Sequence, residues 1–183
     1  MNAEIIATTY QIRKLSSKDI IGSFNCGDED LNDFILNEAQ LYGKARLAVS
    51  YVIENRVTKQ VVGFFSLAND RVSLSDFENK TEFNRFRKKR FVNDKRIKSY
   101  PAVKIGRLAI DLSAKGQSLG TFILDFIKSY FVYDNKAGCR FVTVDAYLNA
   151  LPFYIKNGFL PLSEEIEDPH TKLLFFDLEE ISE

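Results

Sequence analysis

Histidine occurs once in the 183 residues, as His170, and cysteine twice, as Cys26 and Cys139. A lone histidine in a polar turn provides neither a Ser-His-Asp triad nor a histidine-based metal site. The cysteines have no Cys-x-x-Cys spacing, so two reduced thiols are expected rather than a metal or redox motif. No catalytic cysteine is expected either, since the only histidine that could activate one lies in that turn. No apolar run approaches the ~18 residues of a membrane span. The opening Met-Asn-Ala-Glu-Ile-Ile-Ala has neither the basic start nor the long apolar core of a secretory signal. A cytoplasmic protein without a membrane segment is the expectation. Formal net charge is zero, so bulk charge does not mark a polyanion binder. The P-loop pattern and the dinucleotide-binding glycine fingerprint are both missing.

Apolar residues make up 45% of the chain and include 16 phenylalanines, enough for one domain with a sizeable core. With no repeat, linker or low-complexity tract, one α/β domain over residues 1–183 is expected. Residues 10–15 read as a first strand. Asp28 is placed to cap a helix through Tyr42, with Leu31, Phe34, Ile35, Ala39 and Tyr42 on its apolar face. Leu47, Val49, Tyr51 and Ile53 alternate on one side of a strand, and a polar turn at 55–59 reverses it into the apolar run 61–67. Residues 140–146 form another strand. Asn149 is placed to cap a short helix in which Pro152 falls in the first turn, and Gly158 ends it. Residues 159–162 and 171–178 close the sheet.

The organising stretch is 104–131. Residues 103–110 carry β-branched and aliphatic residues in a short run, which reads as a buried strand. Leu119, Phe122, Ile123, Phe126, Ile127, Tyr130 and Phe131 recur at spacings of three and four, one apolar face of a long helix. Between them lies the polar turn Ser113-Ala114-Lys115-Gly116-Gln117-Ser118. A helix N-terminus offers free backbone N–H groups and the positive end of its dipole, so a turn feeding one is suited to phosphate. Gly116 and Gly120 allow close approach, and Lys115 adds charge. On the residues alone, an ordinary glycine-containing turn is the competing reading.

Leu108-Ala109-Ile110-Asp111, followed by Lys115-Gly116-Gln117-Ser118-Leu119-Gly120, resembles the acetyl-CoA-binding segment of the Gcn5-related N-acetyltransferases. That family's loop reads Gln/Arg-x-x-Gly-x-Gly/Ala. Lys115 stands at its first position, Ser118 replaces its first glycine, and Gly120 matches its last. A second family segment is similar to Ala150-Leu-Pro-Phe153-Tyr154-Ile-Lys-Asn-Gly158-Phe159. The resemblance spans residues 103–160 and implies a mixed, mostly antiparallel twisted sheet flanked by helices. It further implies that Lys115, Gly116, Gln117, Ser118, Leu119, Gly120 and Thr121 hold the pyrophosphate of acetyl-CoA. The main chain at Leu108, Ala109 and Ile110 would hold pantetheine, and Tyr154 would return a proton to the departing thiolate. The family often has an asparagine seven residues before this tyrosine; Tyr147 holds that place here, and Asn149, which lies nearer, is the candidate side chain for contact with CoA.

Phe24-Asn-Cys-Gly27, with 101–111 and Val144-Asp-Ala-Tyr147, resembles the family's toxin subgroup from bacterial toxin–antitoxin pairs, whose members acetylate the amine of aminoacyl-tRNA. That resemblance implies an antitoxin partner and a homodimer. The phrase at Phe24 also reads as no more than a capped helix start. Arg85, Arg87, Lys88, Lys89 and Arg90 crowd together, with Lys95, Arg96 and Lys98 close behind. Phe83, Phe86 and Phe91 are placed to anchor a short helix there. Such a face is either a plain solvated surface or a contact for an RNA backbone. The acidic counterweight is C-terminal: Glu164, Glu165, Glu167, Asp168, Asp177, Glu179, Glu180 and Glu183.

The strand before Leu108 offers Lys104 and Arg107 and not a carboxylate; Asp70 and Asp145 are the candidate bases. Without a base, the acceptor's own pKa matters. At pH 7 an α-amine of pKa ~7.8 is neutral in about one molecule in seven, a lysine of pKa ~10.4 in about one in 2,500. An N-acetyltransferase acting by direct attack of aminoacyl-tRNA is therefore expected. Transfer to a small-molecule or protein amine, and a non-catalytic CoA- or partner-binding module, are the alternatives.

Overall fold

The computed structural model describes residues 3–91, 97–133, 137–163 and 168–181. The chain forms two compact units, Met1–Ala68 with Ile105–Ile127, and Asn69–Lys104 with Lys128–Glu183. In chain order the regular elements are α1 (Ala3–Thr9), β1 (Tyr10–Lys14), α2 (Glu29–Asp33), α3 (Ala39–Lys44), β2 (Val49–Asn55), β3 (Val61–Ser73) and α4 (Lys80–Lys88). They continue with β4 (Ser99–Ile110), α5 (Leu119–Tyr133), β5 (Phe141–Tyr147), α6 (Leu151–Lys156), β6 (Leu160–Pro161) and β7 (Thr171–Asp177). The strands form one seven-stranded mixed sheet of order β1-β2-β3-β4-β5-β7-β6, and β3 and β4 run through both units. The β1–β2, β2–β3, β5–β7 and β6–β7 pairings are antiparallel.

In the first unit, Asp28 caps the helix as expected, accepting the Leu31 N–H at 3.1 Å. A π turn over Phe34–Glu38 links α2 to α3. Phe34, Ile35 and Ala39 are buried against Val52 and Phe64, with Phe24 edge-on to Phe64 at 5.3 Å. The expected one-sided alternation of β2 is corrected. Tyr51 stacks on Phe65 at 5.0 Å beneath Phe126, while Val52 faces the helix on the other side, so Val52 and Ile53 are both fully buried. Leu47 precedes the strand and is exposed. A strand covered by helices on both faces shows no period of two.

At Gly63 on β3, an added Cβ would lie 2.8 Å from Ile110 Cδ1 and 3.2 Å from the Ala109 carbonyl oxygen. Gly63→Ala therefore pushes on the end of β4 and is expected to destabilise the protein by about 1–3 kcal/mol, as overpacking does. Thermal melting checks this, and an unchanged Tm would mean that Ile110 simply turns aside.

In the second unit, the expected basic helix is present. Asn79 caps α4 by accepting the N–H groups of Thr81 at 2.9 Å and Glu82 at 3.1 Å. Phe83 and Phe86 are buried with Phe77, Tyr100, Phe141 and Phe175, and Phe91 stacks on Tyr100 at 4.2 Å. That anchoring leaves Arg85, Lys88 and Lys89 exposed. Helix α6 ends at Gly158, whose φ of +84° suits glycine, with the Phe176 ring 3.0 Å from where a Cβ would stand. The expected Asn149 cap is not made. A single 3₁₀ turn over Leu148–Ala150 leads into α6, Ala150 occupies the cap position, and Asn149 is exposed. Lys95, Arg96, Glu164, Glu165, Glu167 and Glu183 lie outside the described residues.

Candidate active site

The turn after β4 is fixed before any ligand is considered. Asp111 donates its N–H to Val62 O at 2.9 Å, and Leu112 donates to Asn25 O at 2.8 Å. The Asp111 carboxylate accepts the Asn25 N–H at 2.8 Å, the Ser113 N–H at 2.9 Å and the Ser113 hydroxyl at 2.6 Å. The Phe24–Gly27 phrase thus clamps the loop as well as starting a helix. Burial of Asp111 would raise its pKa, but hydrogen bonds from Ser113 and Asn25 outweigh that and hold it below the usual carboxylate range. Sequence reasoning gives neither Asn25 nor Asp111 a role of its own. The Asp-x-Ser turn at 111–113 is the one local signal that points to them.

Beyond the clamp, a 3₁₀ turn over Leu112–Ala114 leads to the exposed Lys115. Gly116 has φ +78°, and nothing lies within 4 Å of the position a Cβ would take, so the loop is open there. Ser118, which replaces the family glycine, also adopts a left-handed φ, +63°. A serine held there carries a backbone strain of about 1–2 kcal/mol that glycine would not. Gln117 is tied down by the Tyr10 hydroxyl, which donates to its Oε1 at 2.8 Å. The Phe122 N–H donates to Ser118 O at 3.1 Å, so the N–H groups of Leu119, Gly120 and Thr121 come before the first turn of bonds in the 15-residue α5. Leu119 is buried and anchors that end. Free N–H groups, a lysine and an open glycine fit a diphosphate. Leu108, Ala109 and Ile110 form the end of β4, with Ala109 buried.

In the second unit, Tyr154 of α6 is 6% exposed, its ring edge-on to Phe153 at 5.0 Å and Phe159 at 5.4 Å. Burial pushes its phenol up to about 12. The candidate bases are both engaged: Asp145 pairs with Lys104 at 2.6 Å, and Asp70 accepts the Thr143 hydroxyl at 2.5 Å. Arg107 is engaged too, its guanidinium 4.0 Å above the Phe34 ring in the first unit. Among the cations of the α4 segment, Arg90 differs from Arg85, Lys88 and Lys89. It lies 4.2 Å above the Phe86 ring and pairs with Asp177 at 3.3 Å, a structural role. Arg87 is half-buried, 5.8 Å from the Phe83 ring centre.

The clamp makes a pH prediction. Asp111 in the clamp and, outside it, Asp19 and Glu54 have lowered pKa values. Burial would raise them, but hydrogen bonds from Ser16 and Arg13 to Asp19 and from Arg13 and Gln11 to Glu54 outweigh it. The stability all three contribute is therefore present above the ordinary carboxylate pKa of about 4 and is lost as pH falls through their depressed values. Melting temperature should hold from about pH 7 to 5 and drop below about 4. Asp111→Asn should flatten part of that drop and weaken CoA binding about tenfold, as removal of a charged hydrogen-bond acceptor does. An unchanged profile would remove Asp111 from the clamp.

Residues 86–179 match a family model described as an acetyltransferase (GNAT) domain. The fold and the match define an acyltransferase of the acetyl-CoA-dependent class. The chain belongs to the GNAT acetyltransferase family. Among solved structures it is similar to a Tyr-to-Phe variant of KacT, at 22% identity over 94% of this chain and 96% of KacT, with a TM-score of 0.73. AtaT complexed with acetyl-methionyl-tRNAfMet matches at 24% identity over 93% of this chain and 96% of AtaT, with a TM-score of 0.71. A Tyr-to-Phe variant of the AtaT toxin, bound to the C-terminus of the antitoxin AtaR and to acetyl-CoA, matches at 22% identity over 94% and 95%, with a TM-score of 0.70. These likenesses establish the same mixed sheet flanked by helices. Among the described residues, no helix is long and apolar enough to cross a membrane.

Proposed function

We propose that this acetyltransferase, acting as one catalytic domain in the cytoplasm, transfers acetyl to the α-amine of aminoacyl-tRNA and is restrained by an antitoxin partner. Acetyl-CoA supplies the acetyl group as a thioester. Lys115, Gly116 and the N–H groups from Gln117 to Thr121 bind its diphosphate, and Ala109 with its neighbours orients pantetheine along the end of β4. Asn149 sits beside α6 as an exposed amide within reach of solvent-borne groups rather than as a cap. Tyr154 holds a proton on its phenol oxygen for the departing sulfur. A pKa near 12 keeps that proton in place at neutral pH, and a thiolate expelled into an apolar setting is itself made more basic.

The observation that carries the acceptor assignment is the outward cationic face of α4. Two buried phenylalanines fix the helix, and Arg85, Lys88 and Lys89 point to solvent, where a phosphate backbone can reach them. The engaged state of Asp70 and Asp145 agrees, since an α-amine needs no dedicated base. The complex of AtaT, a similar fold, with acetyl-methionyl-tRNAfMet supports the same reading. The test is acetyl-CoA turnover against charged tRNA, free small amines and lysine-containing peptides. Charged tRNA should be acetylated at least about 100-fold more efficiently than the lysine peptides, following the ratio of neutral amine. Equal rates on peptides would transfer the assignment to a protein acetyltransferase.

A further inference from the structure

The first unit contains a hollow of about 690 Å³ between the end of α3 and the start of β2, lined by Leu15, Ala39, Leu41 and Val49 among others. Its size and apolar walls are those of a small-molecule site. Lys14 and Lys44 stand on its rim, both exposed, and its lining contains no carboxylate and no aromatic ring. The nearby Asp19 is already bound to Arg13 at 2.6 Å and to the Ser16 N–H at 2.7 Å. Ser50, 4% exposed, also lines the hollow, and its Oγ is buried with no hydrogen-bond partner among the described residues. A buried hydroxyl left unpaired is destabilising. The hollow abuts Ser50, which pairs with Ser66 on β3, whereas Asp111 bonds Val62 earlier on the same strand. Four residues of strand separate them, about 13 Å, so occupancy of the hollow leaves the diphosphate loop clear.

We infer that this hollow binds an amphipathic monoanion, an aliphatic body bearing one carboxylate-like group, with Lys14 and Lys44 facing the charge. The absence of an aromatic ring from the lining disfavours a nucleotide, which would look for a stacking partner. Two lysines with no ion pair among the described residues favour an anion over a neutral lipid.

The probe is decanoate, with decanol and decyltrimethylammonium as neutral and cationic controls, titrated into the full chain and followed by amide NMR shifts. Saturable shifts at Ala39, Gly43 and Ser50 are expected for decanoate alone. The double variant Lys14→Glu/Lys44→Glu should weaken binding at least about tenfold, the effect of reversing close charges. Ser50→Ala should leave decanoate binding unchanged and the melting temperature equal or higher, because the unpaired hydroxyl lies beneath the wall of the hollow. Acetyl-CoA should bind with the same affinity with or without decanoate. No saturable shifts, equal response to all three probes, or displacement by acetyl-CoA would each overturn the assignment. So would a dimer that excludes decanoate and dissociates in the double variant, since the occupant would then be a second copy of the chain.

Discussion

Replacing Tyr154 with phenylalanine lowers the turnover number by about 10²–10⁴-fold, the usual contribution of a positioned general acid, while acetyl-CoA binds as before. The substitution removes one oxygen from a ring that is held by Phe153 and Phe159, so the packing survives. The pH dependence is the sharper readout. With a phenol near 12, the acid keeps its proton throughout the accessible range. The rate should therefore climb as the acceptor α-amine loses its proton near about pH 7.8 and then level off, with no falling limb before about pH 10. A bell-shaped profile centred near pH 8 would mean that some other group of lower pKa supplies the proton. Unchanged turnover in Tyr154→Phe would reduce the residue to core packing.

Reversing Arg85, Lys88 and Lys89 to glutamate raises KM for charged tRNA by about 10²-fold or more at low salt and flattens the salt dependence. A cation that no longer neutralises a phosphate lowers the slope of log K against log salt by about 0.7–0.9, so three such cations lower it by about 2–3. Turnover of a small amine should be unaffected, and so should the melting temperature, because the three side chains are exposed and the helix is held by Phe83 and Phe86. Arg90 serves as the contrast. Reversing it sets a glutamate against the buried Asp177, which keeps only Arg140 at 2.8 Å, and should destabilise the second unit rather than discriminate between acceptors. If the triple variant were equally impaired on small amines, α4 would be part of the catalytic framework and the RNA reading would fail.

The parts of this molecule that can be read from its sequence are those whose signal is local. The spacing from Leu119 to Phe131 specifies α5, the polar turn at 55–59 specifies the β2–β3 hairpin, and Phe83 and Phe86 mark the buried side of α4. Leu124 falls outside the expected apolar row of α5, yet it is fully buried, because a helix packed closely against a sheet buries a wider stripe than one row of residues. Helix α1 has seven residues, with Ile6 buried and Ile5 exposed, too short for a period to emerge. The π turn at Phe34–Glu38 has no sequence mark, since it answers to packing against Phe64. Arg90 is indistinguishable from its neighbours until Asp177 of β7 is brought beside it. The Asn25–Asp111 clamp likewise joins residues far apart in the chain, though each is visible within a family phrase. Ser118 is the instructive case: the letter departs from the family loop while its backbone keeps the left-handed turn the family's glycine would take.

The loop from Lys115 to Thr121 is the proposed grip on a CoA diphosphate, and every catalytic role proposed above depends on it. Calorimetric titration of CoA into the intact protein measures that directly, with Gly116→Val as the paired variant. One saturable site per chain is predicted, weakened at least about tenfold by a side chain that both blocks the open face and resists φ +78°. Absence of heat with the folded wild type, or equal affinity in Gly116→Val, would contradict it.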